Sequence, residues 1–170
     1  MRIDDFRGEV IRGTGWFGRD FTGQRVAVLA PGREAAQIVP EVAATAQTVK
    51  VFQEEPDWIV PLHVPGGRAV GVAVARAYLR WQVKDPWVRR LLTPDRRFGS
   101  RRLAASLGYF ATLRRPNCKL ITWPVYAVAE QGVRTAEGIE HRVDCIVLGN
   151  RSALTGPPAA PTATAEGRPA

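Results

Sequence analysis

One stretch, Gln24 to Glu55, constrains this chain more than any other. It opens with an apolar, β-favouring run, Arg25-Val26-Ala27-Val28-Leu29, that meets a tight Ala30-Pro31-Gly32 turn. A helical pattern follows, with Ala35, Ala36, Ile38, Val39, Val42, Ala43 and Ala46 at three- and four-residue spacings. A second apolar run, Val49 to Phe52, closes the unit. Strand, glycine turn, helix and strand within about 30 residues make the βαβ pattern of dinucleotide-binding folds.

The turn carries the chemistry. The phosphate-binding fingerprint is G-x-G-x-x-G or G-x-G-x-x-A, and Ala30, Gly32 and Ala35 stand at its positions. Gly32 lets backbone approach a pyrophosphate, and Ala35 lets the helix pack close to the strand. The helix N-terminus offers unpaired N–H groups and a partial positive charge. The first glycine is missing, and Pro31 removes one N–H and biases Ala30 towards extended backbone. The cofactor-binding candidates are Ala30, Gly32 and Ala35, with Gln37 further along the same helix. The turn alone fits equally a βαβ unit that holds no ligand.

Composition narrows the classes. A chain of 170 residues is long enough to bury a real core. The net charge of +8 permits a phosphate or nucleic-acid partner. The arginines are dispersed, however, as Arg89-Arg90, Arg96-Arg97, Arg101-Arg102 and Arg114-Arg115, without interleaved aromatics or a nucleic-acid motif, so no nucleic acid is expected. Cys118 and Cys145 sit in apolar runs with no metal spacing and are expected as buried, reduced thiols. No apolar run reaches a membrane-spanning length, and no signal-peptide core follows Met1, so a cytoplasmic protein without a membrane span is expected.

Along the chain, 1–23 reads as a hinge or linker segment, 24–148 as the nucleotide-binding domain and 149–170 as a disordered tail rich in Pro and Ala. Prolines and glycines from Pro56 to Gly67 exclude a helix there. Helical patterns follow over 70–83 and 101–113. Between them lies a short helix, Trp87 to Leu92, with Asp85 as N-cap and Pro86 in the first turn. Strands return at 118–122, 125–130, 133–135 and 143–148, and Glu137-Gly138 is a turn. The fold expected is α/β: a three-layer Rossmann-like domain with a mainly parallel sheet plus a β-hairpin.

Several spaced motifs, in order, carry a family resemblance. Phe6-Arg7-Gly8 through Arg12 to Trp16 resembles F-x-G-x-x-x-H-x-x-x-W. VFQEEPDWIVP resembles VFQRTPNWxxP, and QVKDPWVRRLLTPDRRFGSRRL resembles a stretch ending in G-x-K-R-P. RRPNCKLITWPVYAVAEQGVRTAEGIEHRVDCIVL resembles the strands that precede A-T-G. From Asp5 to Leu148 the chain resembles the NADPH-binding domain of class B flavin-dependent monooxygenases of the Baeyer–Villiger type. The resemblance implies NADP or NAD as ligand. It implies FAD only if a separate FAD-binding polypeptide supplies the missing domain, because no second G-x-G-x-x-G turn occurs. Arg101 and Arg102 match the family's lysine–arginine pair. The resemblance gives Arg102 the catalytic role of stabilising a peroxyflavin anion, which suits a permanently charged fork; the alternative is a solvated surface arginine.

The departures set the functional expectation. Arg12 replaces the fingerprint histidine, and Gly149-Asn150-Arg151 replaces A-T-G. The family arginine that grips the NADPH 2′-phosphate is Glu54, followed by Glu55. Losing that contact costs roughly 2–5 kcal/mol, and two carboxylates add repulsion. A glutamate about 20 residues after the turn can instead accept from a ribose 2′-hydroxyl. The reading is a truncated or degenerate NAD(P)H-binding portion of a monooxygenase, inactive alone, with weak binding that favours NADH. The alternative is a stand-alone nucleotide-binding or protein-interaction module without catalysis.

Overall fold

The apolar runs become strands because each can bury both faces. The computed structural model describes residues 3–53, 56–62, 64–65, 67–94, 103–121 and 123–150. In chain order the strands are β1 Glu9–Ile11, β2 Arg25–Ala30, β3 Thr48–Gln53, β4 Ile59–Val60, β5 Ala104–Ala105, β6 Cys118–Ile121, β7 Val125–Ala129, β8 Gly132–Thr135, β9 Glu140–Arg142 and β10 Cys145–Leu148. The helices are α1 Gly32–Thr45, α2 Gly67–Gln82, α3 Pro86–Leu91 and α4 Tyr109–Leu113, after a 3₁₀ turn at Ile3–Asp5. A five-stranded parallel sheet in the order β1-β10-β2-β3-β6 forms the middle layer.

Strand periodicity sorts side chains between two cores. Val26 and Val28 of β2, Val49 and Val51 of β3, and Cys145 and Val147 of β10 join the helices on one face. Ala27, Leu29, Phe52, Ile146 and Leu148 face the other way, onto Val128 and Val133 of the antiparallel layer β7-β8-β9 and Val143 just after it. The architecture is therefore α/β, three-layered and Rossmann-like. The expected hairpin gains a third strand, β9, after the turn at Gly138, whose φ of 84° suits glycine.

Helix α1 contains Pro40, which cannot donate to the carbonyl of Ala36. Ser106 Oγ donates to that carbonyl instead, at 2.9 Å. At the other end, Asn117 Nδ2 donates to the carbonyls of Ala43 and Ala46, at 3.2 and 3.0 Å. The Ser106 contact answers a carbonyl that Pro40 leaves open, and the Asn117 contacts answer carbonyls that the helix end leaves open. They also fix the helix face that buries Ala35, Ala36, Ile38, Val39, Val42 and Ala43.

One expected helix is corrected. Residues 101–102 lie outside the described residues, and within 103–113 the helix is Tyr109–Leu113. Ala104–Ala105 pairs in parallel with Ile59–Val60, and Ser106 is drawn to α1 before Gly108 starts the helix. Tertiary pairing overrides the helical pattern there. The short helix α3 forms as expected: Asp85 Oδ1 accepts from Trp87 and Val88 N–H, at 2.7 and 3.3 Å, with Pro86 in the first turn. Both cysteines are free and buried, and burial pushes Cys118 up to about 11 and Cys145 to about 12.

The start of β2 is tied to β10 by charge. Asp144 accepts from Arg25 N–H, Nε and Nη2 at 2.9, 2.9 and 2.6 Å. Hydrogen bonds from the Arg25 side chain hold the Asp144 carboxyl down at about 2, from 3.8. A depressed acid stabilises the fold above its unfolded value and loses that contribution as pH falls through its folded value. Asp144→Asn should therefore lower the urea midpoint modestly near neutrality, because the pair is half exposed. The gap from the parent should close as pH falls from 3.8 towards 2. A gap that is constant over that range would remove the ion pair as its cause.

Candidate functional site

In open α/β sheets ligands sit beyond the carboxyl ends of the strands. Here that edge carries the β2–α1 turn. Ala30 ends β2 fully buried, and Pro31 follows with φ −58° and ψ 152°. Its carbonyl accepts from the N–H groups of Glu34 and Ala35, at 2.9 and 2.8 Å. Gly32 is the first residue of α1, and Ala35 is buried against the sheet, as the close-packing position requires. The structure thus brings Ala30, Gly32 and Ala35 together at one strand end. Gln37 lies exposed on α1, five residues beyond Gly32, roughly 7.5 Å up the axis. Glu54, Arg101 and Arg102 lie outside the described residues.

Two carboxylates occupy this edge. Asp57 Oδ2 accepts from the N–H of Arg33 at 2.9 Å. That N–H belongs to the first turn of α1, the group a phosphate would use. Glu34 reaches the end of β10: a Cβ built on Gly149 would lie 2.6 Å from Glu34 Oε2 and 2.8 Å from Ala30 Cβ. Helix α1 has no side-chain cap from Pro31, so Asp57 supplies its anion. The helix N-terminus is therefore built for negative charge and already holds some.

The neighbouring strand end is also fixed. Gln53 Oε1, the last side chain of β3, accepts from Tyr109 Oη at 3.0 Å. Tyr109 is fully buried, and burial pushes its hydroxyl well above the ordinary tyrosine value. Its N–H donates to Ser106 Oγ at 3.2 Å, so one short segment ties α1, β3 and α4 together. Sequence reasoning missed Asp57, Gln53 and Tyr109 as site residues. Asp57 and Gln53 do lie inside the motif-like stretch VFQEEPDWIVP, which was the available signal. Among the described residues no cluster of His, Cys, Asp or Glu could hold a metal, and no helix is long and apolar enough to cross a membrane.

The fold and this edge define a three-layer, Rossmann-like α/β domain. No family model matches the chain. Curated relatives place it further. It is 27% identical, over 86% of its length, to a Baeyer–Villiger monooxygenase of Pseudomonas aeruginosa. Identity is 28% over 93% of its length to a Baeyer–Villiger monooxygenase of Streptomyces coelicolor, and 31% over 86% to an uncharacterized monooxygenase of Mycobacterium bovis. The chain spans 36–38% of the length of these relatives. Solved structures share the fold: OTEMO with FAD and NADP superposes at TM-score 0.75 with 24% identity, covering 88% of this chain and 43% of that one. An oxidized steroid monooxygenase bound to NADP gives 0.72 with 24% identity, over 86% of this chain and 42% of that one. The chain is homologous to part of the Baeyer–Villiger-type flavin monooxygenases.

Proposed function

We propose that the chain is the pyridine-nucleotide-binding portion of an FAD-dependent Baeyer–Villiger-type monooxygenase, and that it does not oxygenate a substrate by itself. The observation that carries this reading is the β2–α1 turn at the carboxyl edge of the parallel sheet, in a chain homologous to such enzymes. The dinucleotide pyrophosphate would rest on the first turn of α1, close to Gly32, with Ala30 beneath it. Asp57 and Glu34 make that seat less favourable for an anion than a bare helix end. The relatives' names and titles include FAD and NADP. Reduction of flavin and oxygenation of a ketone or similar substrate need an FAD-binding part, from further sequence or a separate polypeptide. Arg102 would serve the oxygenation step, and Arg101, Glu54 and Gln37 would face the nucleotide.

The nucleotide preference follows from charge. Glu54 and Glu55 stand where the resemblance places a 2′-phosphate, whose charge is near −2, so NADH should bind more tightly than NADPH. Calorimetric titration of both nucleotides checks this. The Glu54→Arg, Glu55→Thr double variant should gain roughly 30-fold or more for NADPH, within the range for restoring a hydrogen-bonded charge pair. If neither nucleotide binds to the parent or to the double variant, the nucleotide-binding reading fails. If the parent binds NADPH at micromolar strength and NADH far more weakly, the assignment of Glu54 fails.

A further inference from the structure

We propose that the cleft between α2 and α3 is a second anion site on this domain, built to hold a phosphate dianion. The cleft encloses about 500 Å³ and is lined by Trp58, Arg76, Leu79, Arg80, Pro86, Arg89, Arg90 and Thr93. Its size falls in the ordinary range for small-molecule sites. Four of these eight are arginines, and among the described lining residues none is an acid.

The arrangement is particular. Arg76 and Arg80 are four residues apart on α2, so they share one face and repel each other. Between them Leu79, buried, makes part of the floor. Arg89 and Arg90 come from the last turn of α3, where the helix dipole favours cations. Asp85 lies at the other end of that helix and is committed to the Trp87 and Val88 N–H groups. The ion pairs among the described residues are Arg7–Glu130, Arg19–Glu9, Arg25–Asp144 and Arg134–Glu140, and none reaches the cleft. Four permanently charged forks thus meet across one cavity without a counter-charge among its described lining residues.

One of them is pre-positioned. The Arg76 guanidinium lies over the Trp58 ring, 5.4 Å from its centroid. The cation–π contact restrains the guanidinium beside the cleft. A phosphate dianion brings about twice the charge of a carboxylate and three acceptor oxygens, so it can answer several such forks at once. Trp58 follows Asp57, the residue on the first turn of α1, and adjacent Cα atoms are about 3.8 Å apart. The cleft therefore borders the dinucleotide edge, although the proposal stands without a bound dinucleotide. The phosphate can be the 2′-phosphate of a dinucleotide or belong to a separate phosphorylated compound.

The test uses inorganic pyrophosphate and titration calorimetry at physiological ionic strength. The parent chain should bind it saturably. Arg76→Gln with Arg89→Gln should weaken binding about 10- to 100-fold, as expected for two lost charge-assisted contacts. Arg68→Gln with Arg142→Gln removes the same charge outside the cleft lining and should change affinity less than about threefold. Arg76→Lys with Arg89→Lys keeps the charge but loses the forks, and should fall between; it also covers the case in which the glutamine pair does not fold. Equal weakening by both glutamine pairs, or no saturable binding to the parent, overturns the proposal. NADP⁺ and NAD⁺ then locate the source. An NADP⁺ advantage abolished by the cleft variant assigns the 2′-phosphate, and pyrophosphate that binds unchanged beside NAD⁺ assigns a separate ligand. Failure of both nucleotides with pyrophosphate bound leaves the cleft in place and removes only the nucleotide reading.

Discussion

Gly132→Ala should lower the unfolding free energy by about 3 kcal/mol, the upper end for overpacking, and the melting temperature by roughly 6–12 °C for a chain of this size. A Cβ at Gly132 would lie 2.1 Å from the carbonyl oxygen of His141, 2.8 Å from its carbonyl carbon and 2.9 Å from Arg142 Cα. All three are backbone atoms of the partner strand, since Gly132 pairs with Arg142 and Val133 with His141. No side chain can swing away, so β9 must move. The movement lifts the antiparallel layer around Val133, which is fully buried against the sheet. Gly71→Ala is the comparison. Its Cβ would also lie 2.1 Å from a neighbour, but that neighbour is Leu103 Cδ1, the free end of a side chain. Alanine also gains up to about 1 kcal/mol over glycine inside a helix, so Gly71→Ala should be near neutral. Thermal melts of the two variants side by side check the contrast. Equal losses would mean that distance alone, and not the nature of the contacted atom, sets the cost.

That contrast bears on what the sequence discloses. The βαβ unit was legible because its information is local: Val26 to Leu29 is apolar throughout, Val49, Val51 and Phe52 are apolar around Lys50, and the turn sits between strand and helix. Helix α3 was legible for the same reason, as Asp85 and Pro86 form a start signal within a few residues. Pro40 runs against the local pattern. Its helix survives because Ser106, distant in sequence, takes over the open Ala36 carbonyl. Residues 104–105 read as helix and pair as strand because β4 offers them an edge. β1 has three residues and joins the sheet only through β10, far along the chain. At the site, Ala30, Gly32 and Ala35 form one local motif and were readable. Asp57 reaches α1 from 24 residues away, and only folding shows that its carboxylate faces the helix start.

Asp57→Asn should raise the affinity for a dinucleotide, roughly 5-fold up to several hundred-fold. The reasoning rests on the Arg33 N–H, which Asp57 Oδ2 holds at 2.9 Å. A pyrophosphate arriving at the first turn of α1 must displace that carboxylate or sit beside it. Two unit charges about 4 Å apart repel by about 1 kcal/mol in water and about 4 kcal/mol at an effective dielectric of 20. Asp57 is half-buried, so its value lies between those limits. Asparagine keeps an oxygen acceptor for the Arg33 N–H, so helix α1 retains a cap while the charge disappears. Asp57→Ala should show a similar gain in binding but a loss of about 1 kcal/mol in stability, as for other lost caps. Titration calorimetry with NADH, paired with thermal melts, separates the two effects. The gain for asparagine should shrink at high salt, because a half-exposed charge is screened. If Asp57→Asn binds NADH no better than the parent while Glu54→Arg, Glu55→Thr improves NADPH binding, the dinucleotide binds without meeting Asp57. Its carboxylate then serves α1 as a cap alone.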